Sequence, residues 1–353
     1  MDRERSVATA EDVARRAGVS QSAVSRAFTP GASVAPATRK KILAAAQELG
    51  YRPNLIARSL INGRSNIVGV GIGNLENAFF AASLKRMSEQ FAEVSLRLLL
   101  FTTDPHSVIT AAVQDVLQYR LEALVLLSVS PSVELDQQCR QAKVPLILFN
   151  RSHPTNPEVS SVTADNERGG RIIGAHLLAG RHERYAFVSG IDESTANHQR
   201  EAGFDAVLAE AGLPAPIREN GGFTFEGAAA AARRLLSRRD RPDAIFCAND
   251  QMALAVIDVA RAEFGLDVGR EVSIAGFGDI PMARWSSFSL TTYTQPCDLR
   301  VQETVALVLR LKEGHEAQIH RIVDGDLVVR SSTRSAVTRI RPPRIRAVRG
   351  NQL

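Results

Sequence analysis

Apolar and polar residues follow two different rhythms along this chain. Over residues 9–50 the apolar positions recur at helical spacing in short runs. Thr9 with Asp12 three residues later resembles a capping box, and Val13, Ala14 and Ala17 give the helix that follows a small apolar face. Gly18 is its predicted stop. Ser20 is placed to cap a second helix with Val24, Ala27 and Phe28 on one side, ended by Pro30 and Gly31. Two short helices joined by Ala-Gly-Val-Ser predict a helix-turn-helix. A third helix is predicted over about 37–49, with Ile42, Ala46 and Leu49 packing and Gly50 closing it. Pro53 then breaks the chain, Asn54 can cap a further short helix, and Gly63 ends that helix.

From residue 67 the rhythm changes. Continuous apolar runs appear at IVGVGIG, LRLLLFT, EALVLLSV, VPLILFN, YAFVSG, DAIFCAN and VSIAGFG. Amphipathic stretches at 81–93, 107–119, 134–142 and 198–212 lie between them. Buried β-rich runs alternating with helices predict parallel sheets. Their number predicts two such sheets, one in each of two α/β lobes.

Composition sharpens this picture. With 353 residues and 44% apolar content the chain can bury a large core and is long for one domain. The first 20 residues are charged and lack an apolar leader core, and no apolar run reaches the roughly 18 residues that span a membrane. A cytoplasmic protein with no membrane partner is expected. Cys139, Cys247 and Cys297 lie far apart, without metal-ligand or disulfide spacing, so no cofactor is expected. Residues 1–64 carry 11 Lys and Arg against 5 Asp and Glu, and residues 331–353 carry 6 Arg and no acid. The stretch between them has 26 bases against 33 acids. A basic head on an acidic body is the asymmetry of a nucleic-acid reader carried by a different module.

The polar side of the second helix holds Gln21, Ser22, Ser25 and Arg26. Arginine forks onto guanine and glutamine pairs with adenine, and the start of a recognition helix is what enters the major groove. The alternative is a three-helix domain with a solvated polar face. In the body, ligands of open α/β sheets bind beyond the carboxyl ends of strands. That rule selects Phe79, Phe80, Asn150, Asn197 with Arg200, Phe223, and Asn249 with Asp250. Aromatic faces with Arg, Asn and Asp suit a small polar ligand such as a sugar. The three phenylalanines also fit core positions, Arg200 a surface ion pair, and Asp250 a helix cap. No phosphate loop, HExxH or GxSxG is present, and the glycines of GVGIGN miss the dinucleotide fingerprint at Asn74, so an enzyme is not expected.

The stretch EDVARRAGVSQSAVSRAF…TRKKILAAAQELGYRPNLIARSL resembles the head and hinge of the LacI/GalR (lactose-repressor/galactose-repressor) family of bacterial transcriptional regulators, unbroken from Thr9 to Asn66. The body resembles that family's ligand-binding core, built like periplasmic sugar-binding proteins. Its landmarks are NAFF, SSVTADNERGGRIIGAHLLAGR, QREAGF, AIFCANDQMALAV, VSIAGFGDIPMARW and LTTYTQP.

The resemblance implies base reading by Gln21, Ser22 and Arg26. It implies backbone or nearby groove contacts by Ser20, Ser25 and Asn54. It places Ala57 and Leu60 on a hinge helix in the minor groove, Leu60 as an apolar wedge between base steps; Leu60 as a linker-packing residue is the alternative. Ala23, Ala35 and Gly278 depart from the family pattern, Gly278 where an acid often contacts the ligand.

The implied organisation is a helix-turn-helix domain over 1–50, a hinge over 51–64, a two-lobed effector-binding and dimerisation core over 65–334, and a basic, disordered tail over 335–353. Three crossings between lobes are implied, near 162, 292 and 325. The implied function is a repressor binding a pseudo-palindromic double-stranded operator as a homodimer, its affinity set by a sugar-like effector. A co-repressor-type regulator sensing a purine or nucleoside is the alternative. The tail carries no leucine heptads, so a coiled-coil tetramer is not expected.

Overall fold

A computed structural model of the chain describes residues 8–29, 31–52, 65–102, 115–127, 129, 131–153, 156–314 and 318–334. The hinge residues Asn54, Ala57 and Leu60, most of segment 107–119 and the tail over 335–353 lie outside the described residues. The chain divides into one compact unit ending at Asn66 and a second beginning at Ile67.

The first unit holds α1 (Ala10–Ala17), α2 (Gln21–Ala27) and α3 (Pro36–Leu49). The capping box on α1 is complete: the Asp12 N–H donates to Thr9 Oγ1 at 3.3 Å, and the Thr9 N–H donates to Asp12 Oδ2 at 3.0 Å. Gly18 takes φ 68°, the left-handed turn that lets the chain leave α1 for α2. Ser20 caps α2 by accepting from the Ala23 N–H at 3.3 Å. Val13, Val24 and Ile42, one from each helix, are fully buried against one another. Leu49 departs from the reading above: it lies in the last turn of α3 and stays exposed. Ala45 is buried instead, and Tyr51 packs edge-on against Phe28, ring centroids 5.7 Å apart. Ala35 precedes α3 with no side-chain cap, and Pro36 opens that helix.

The second unit starts with β1 (Ile67–Ile72), α4 (Ala78–Glu93), β2 (Arg97–Thr102), β3 (Ala123–Leu127), α5 (Val133–Gln141), β4 (Leu146–Phe149) and β5 (Ser160–Ala164). It continues with α6 (Asn166–Ala179), β6 (Tyr185–Ser189), α7 (Thr195–Glu210), β7 (Ile217–Asn220), α8 (Phe225–Leu236), β8 (Ala244–Cys247), α9 (Asp250–Ala262) and β9 (Ser273–Gly278). A short 3₁₀ turn, Pro281–Arg284, precedes β10 (Thr291–Thr294), α10 (Cys297–Lys312), β11 (His320–Val323) and β12 (Leu327–Val328).

Two six-stranded sheets result, with orders β11-β5-β4-β3-β1-β2 and β12-β10-β9-β8-β6-β7. All pairings are parallel except β12 on β10. Buried on both faces, β3, β4, β6 and β8 read as unbroken apolar runs. The chain passes between the sheets after β5, after β10 and between β11 and β12. Each lobe is therefore assembled from separate stretches, and strand ends of both sheets meet around one cleft.

Helices α6 and α7 approach through glycines. A Cβ on Gly170 would lie 2.2 Å from the Arg200 carbonyl oxygen, and one on Gly203 would lie 2.1 Å from that of Glu167. Backbone cannot yield as a side-chain tip can, so Gly203→Ala must spread the pair. The expected cost is about 1–3 kcal/mol, the range for overpacking. It is measured as a drop in the denaturant midpoint, and an unchanged midpoint refutes the close approach.

Candidate functional site

In the first unit, Gln21, Ser22, Ser25 and Arg26 are all exposed, while Val24 and Ala27 of the same helix are buried. The period of α2 thus sorts its polar residues onto the solvent side. Ser20 Oγ sits 2.9 Å from Ser22 Oγ, and Arg26 Nε donates to the Ser22 carbonyl at 3.4 Å. Arg39 Nη1 donates to the Ala27 carbonyl at 2.6 Å, tying the end of α2 to α3. No acid lies in the first turn of α2. The helix therefore offers hydroxyl, amide and guanidinium groups on one open face, as readout of base edges and phosphates requires.

In the second unit a cleft of about 500 Å³, open solvent at its mouth included, lies at the carboxyl ends of the strands. Phe79, Phe80, Asn150, Arg200, Phe223, Asn249 and Asp250 all line it. Phe79 and Phe80 are buried by helix packing and still present ring surface to the cleft. Asn150 follows β4 with φ 70° and Phe223 takes φ 59°, a left-handed backbone that is costly for so bulky a residue. The Phe223 ring occupies the space a side chain at position 190 would fill: a Cβ on Gly190 would lie 2.1 Å from it.

Asn197 departs from the expectation. It is wholly buried and does not line the cleft. Its Oδ1 accepts from the Gly190 N–H at 2.7 Å, fixing the turn after β6 that carries Ser194 to the wall.

Arg200 is 2% exposed and so is no surface ion-pair partner. Nε donates to Asn166 Oδ1 at 2.9 Å, Nη1 donates to the Ala248 carbonyl at 2.5 Å, and the guanidinium stacks 3.8 Å over the Phe277 ring. Nη2 has no partner among the described residues. Burial first, then the charge of Arg300, press its pKa down to about 9 against the opposing pull of Asp250, which leaves it charged at neutral pH.

Asp250 opens α9, but the cap is Asn249, whose Oδ1 accepts from the Met252 N–H at 2.9 Å. Asp250 instead joins strand ends: Oδ1 accepts from Thr292 Oγ1 at 2.6 Å and Oδ2 from the Ile280 N–H at 2.9 Å. Gly276 makes this possible, since a Cβ there would lie 2.3 Å from Oδ1. Burial raises the Asp250 pKa to about 6, against the pull of those two hydrogen bonds. An acid whose pKa is higher folded than unfolded holds extra protons in the native state. Its contribution to stability therefore falls as pH climbs from about 4 to about 6, then levels. Denaturant midpoints across that window are expected to decline more in the native protein than in Asp250→Asn. Parallel profiles refute the shift.

Several lining residues were not singled out from the sequence: Asn74, Asn77, Arg151, Phe277 and Gln295. Arg151 and Asn74 each lie just past an apolar run, so the strand-end rule reaches them when extended by one or two residues. Gln295 had no such signal. Among the described residues there is no cluster of side chains that could hold a metal ion, and no helix long and apolar enough to cross a membrane.

Residues 9–54 match the model of the bacterial regulatory proteins of the lacI family, and residues 175–333 that of the periplasmic binding protein-like domain. The HTH-type transcriptional repressor PurR of Photobacterium profundum is 32% identical over 340 residues, covering 93% of this chain and 99% of the relative. The ribose operon repressor of Escherichia coli is 31% identical over 298 residues, covering 83% and 89%. Among solved structures, the lac repressor dimer bound to operator and the anti-inducer ONPF aligns with TM-score 0.83 at 26% identity, covering 94% of this chain and all of that one. The transcriptional regulator CelR–cellobiose complex aligns with TM-score 0.70 at 28% identity, covering 92% and 99%.

Proposed function

The chain belongs to the lacI family of bacterial regulatory proteins, and from that premise we propose that it is a repressor whose hold on operator DNA is set by a small polar effector in the cleft of the second unit. It acts in the cytoplasm, by binding rather than catalysis, as a homodimer on a pseudo-palindromic site. Gln21, Ser22 and Arg26 read base edges, while Ser20 and Ser25 position the helix on phosphates. Asn54, Ala57 and Leu60 are assigned to the hinge by resemblance. The domain reading is 1–50, 51–64, 65–334 and a basic tail over 335–353.

The observation that carries the effector half of this reading is the buried, unpartnered Nη2 of Arg200 in a cleft walled by Phe79, Phe80 and Phe223. A buried donor without an acceptor costs about 1–3 kcal/mol, more when charged, and an arriving oxygen relieves that cost. Aromatic walls with a few convergent polar groups suit a sugar-like molecule, and relatives named for ribose and solved with cellobiose support that class.

Selection from a randomised duplex pool tests the DNA half. The expected product is a two-fold symmetric site, its half-sites about one helical turn apart. Enrichment of no motif, with or without mixed sugars and nucleosides present, overturns the proposal.

A further inference from the structure

Several arginines of the body are matched by acids. Arg218, Arg233 and Arg330 each meet at least one carboxylate within 2.7 Å. Two arginines at the cleft do not. Neither Arg200 nor Arg300 forms an ion pair among the described residues, yet they are 2% and 0% exposed. Arg300 comes from α10 and stands directly behind the wall. Its Nη1 donates to Gln295 Oε1 at 2.8 Å and its Nη2 to Asn150 Oδ1 at 2.7 Å. Both acceptors are neutral amides, and both residues line the cleft. The guanidinium lies 4.6 Å from the Phe149 ring centre and 5.1 Å from that of Phe79. Its Nε has no partner among the described residues. Arg151, 7% exposed, adds a third guanidinium to the lining and is influenced by Glu193, an exposed acid.

On the other side of the balance the described lining residues include one carboxylate, Asp250. Both its oxygens are already engaged, by Thr292 and Ile280. Gly278 adds nothing: its φ of 148° disfavours any side chain, and it abuts Asp250. Burying a charge without a counter-charge is among the most costly arrangements in a protein. Here three guanidiniums gather at one concave site against the charge of Asp250, which acts on Arg200, while no carboxylate among the described residues pairs with Arg300. A neutral polyol satisfies Nη2 of Arg200 but leaves the excess of positive charge over Asp250 in place. A carboxylate or phosphate accepts the same hydrogen bond, and charge-assisted bonds of this kind are roughly twice as strong as neutral ones.

Resting on the cleft reading above, we propose that the effector is an anion: a polyhydroxylated small molecule bearing a carboxylate or phosphate group. The group seats on Arg200 Nη2, and Arg300 and Arg151 supply the surrounding positive field.

The test is calorimetric titration of the full-length protein in chloride buffer at fixed ionic strength. Matched ligands are compared: glucose with gluconate and glucose 6-phosphate, galactose with galacturonate and galactose 1-phosphate, and adenosine with adenosine 5′-monophosphate. At least one anionic member is expected to bind 30-fold or more tighter than its neutral parent. A carboxylate winner and a phosphate winner distinguish the two sources of the group. Arg300→Gln, which keeps a polar side chain but removes the charge, is expected to cut that preference at least tenfold. Should the variant not fold, the ratio in the native protein decides alone. A neutral ligand that binds as well as its acid overturns the anion while leaving the cleft reading in place. Absence of binding by every member, neutral or charged, overturns both.

Discussion

Arg200→Met abolishes the response to effector while the protein still folds and still selects its operator. Methionine fills much of the same volume and keeps contact with the Phe277 ring, over which the guanidinium now stacks at 3.8 Å. What disappears is the buried, unpartnered donor of a cleft-lining residue and its positive charge. Truncating one partner of a buried, hydrogen-bonded charge costs about 2–5 kcal/mol of affinity. At effector concentrations that saturate the native protein the variant is then left largely unliganded, so the coupling of about 1–3 kcal/mol typical between two linked sites is no longer expressed in operator affinity. Operator titrations with and without effector, on both proteins, measure this. A variant that still responds shows that the cleft is not the sensing site.

Arg26→Ala leaves the fold of the first unit unchanged and weakens specific operator binding by about 1–3 kcal/mol, with relaxed choice at one base position. The fold is spared because Arg26 is exposed and its one described hydrogen bond is the long 3.4 Å contact to Ser22 within its own helix. Val24 and Ala27, which hold α2 to the unit, point the other way and are untouched. If Arg26 reads a base edge, the loss is confined to operators that carry the preferred base. If it only touches phosphate, binding weakens evenly over all sequences and the salt dependence becomes shallower. Equilibrium titrations on single-base operator variants at two salt concentrations separate the two cases. An unchanged affinity for every duplex removes Arg26 from the interface.

The head and the buried strands were legible because local rules govern them. Thr9, Gly18 and Ser20 act within a turn of chain, and their caps form as the spacing implies. The apolar runs of β3, β4, β6 and β8 are long enough to announce strands buried on both faces. Strands β5 and β10 are the counter-example. Their residues Ser-Ser-Val-Thr-Ala and Thr-Thr-Tyr-Thr do not read as core by hydropathy, yet Ser160, Ser161, Thr291 and Thr292 are buried. Each hydroxyl finds a partner far along the chain: Ser160 Oγ accepts from the Ile319 N–H, and Thr291 Oγ1 donates to the Arg330 carbonyl. Hydropathy assumes that a polar group stays in water, and a distant partner removes that assumption.

The same distinction divides the cleft. By itself the sequence determined that strand ends would carry Asn150, Asn249 and Asp250, because a residue just past an apolar run must lie at the end of a sheet. It also determined the polar face of α2. Only the tertiary structure decided that Asn197 supports the wall from behind, that both Asp250 oxygens are spent on β10 and on the turn after β9, and that Arg300 stands beside Asn150 from 150 residues away. A periodic pattern states which side of an element is buried. What a buried polar group meets there depends on which elements are packed against it, and that is a property of the assembled fold.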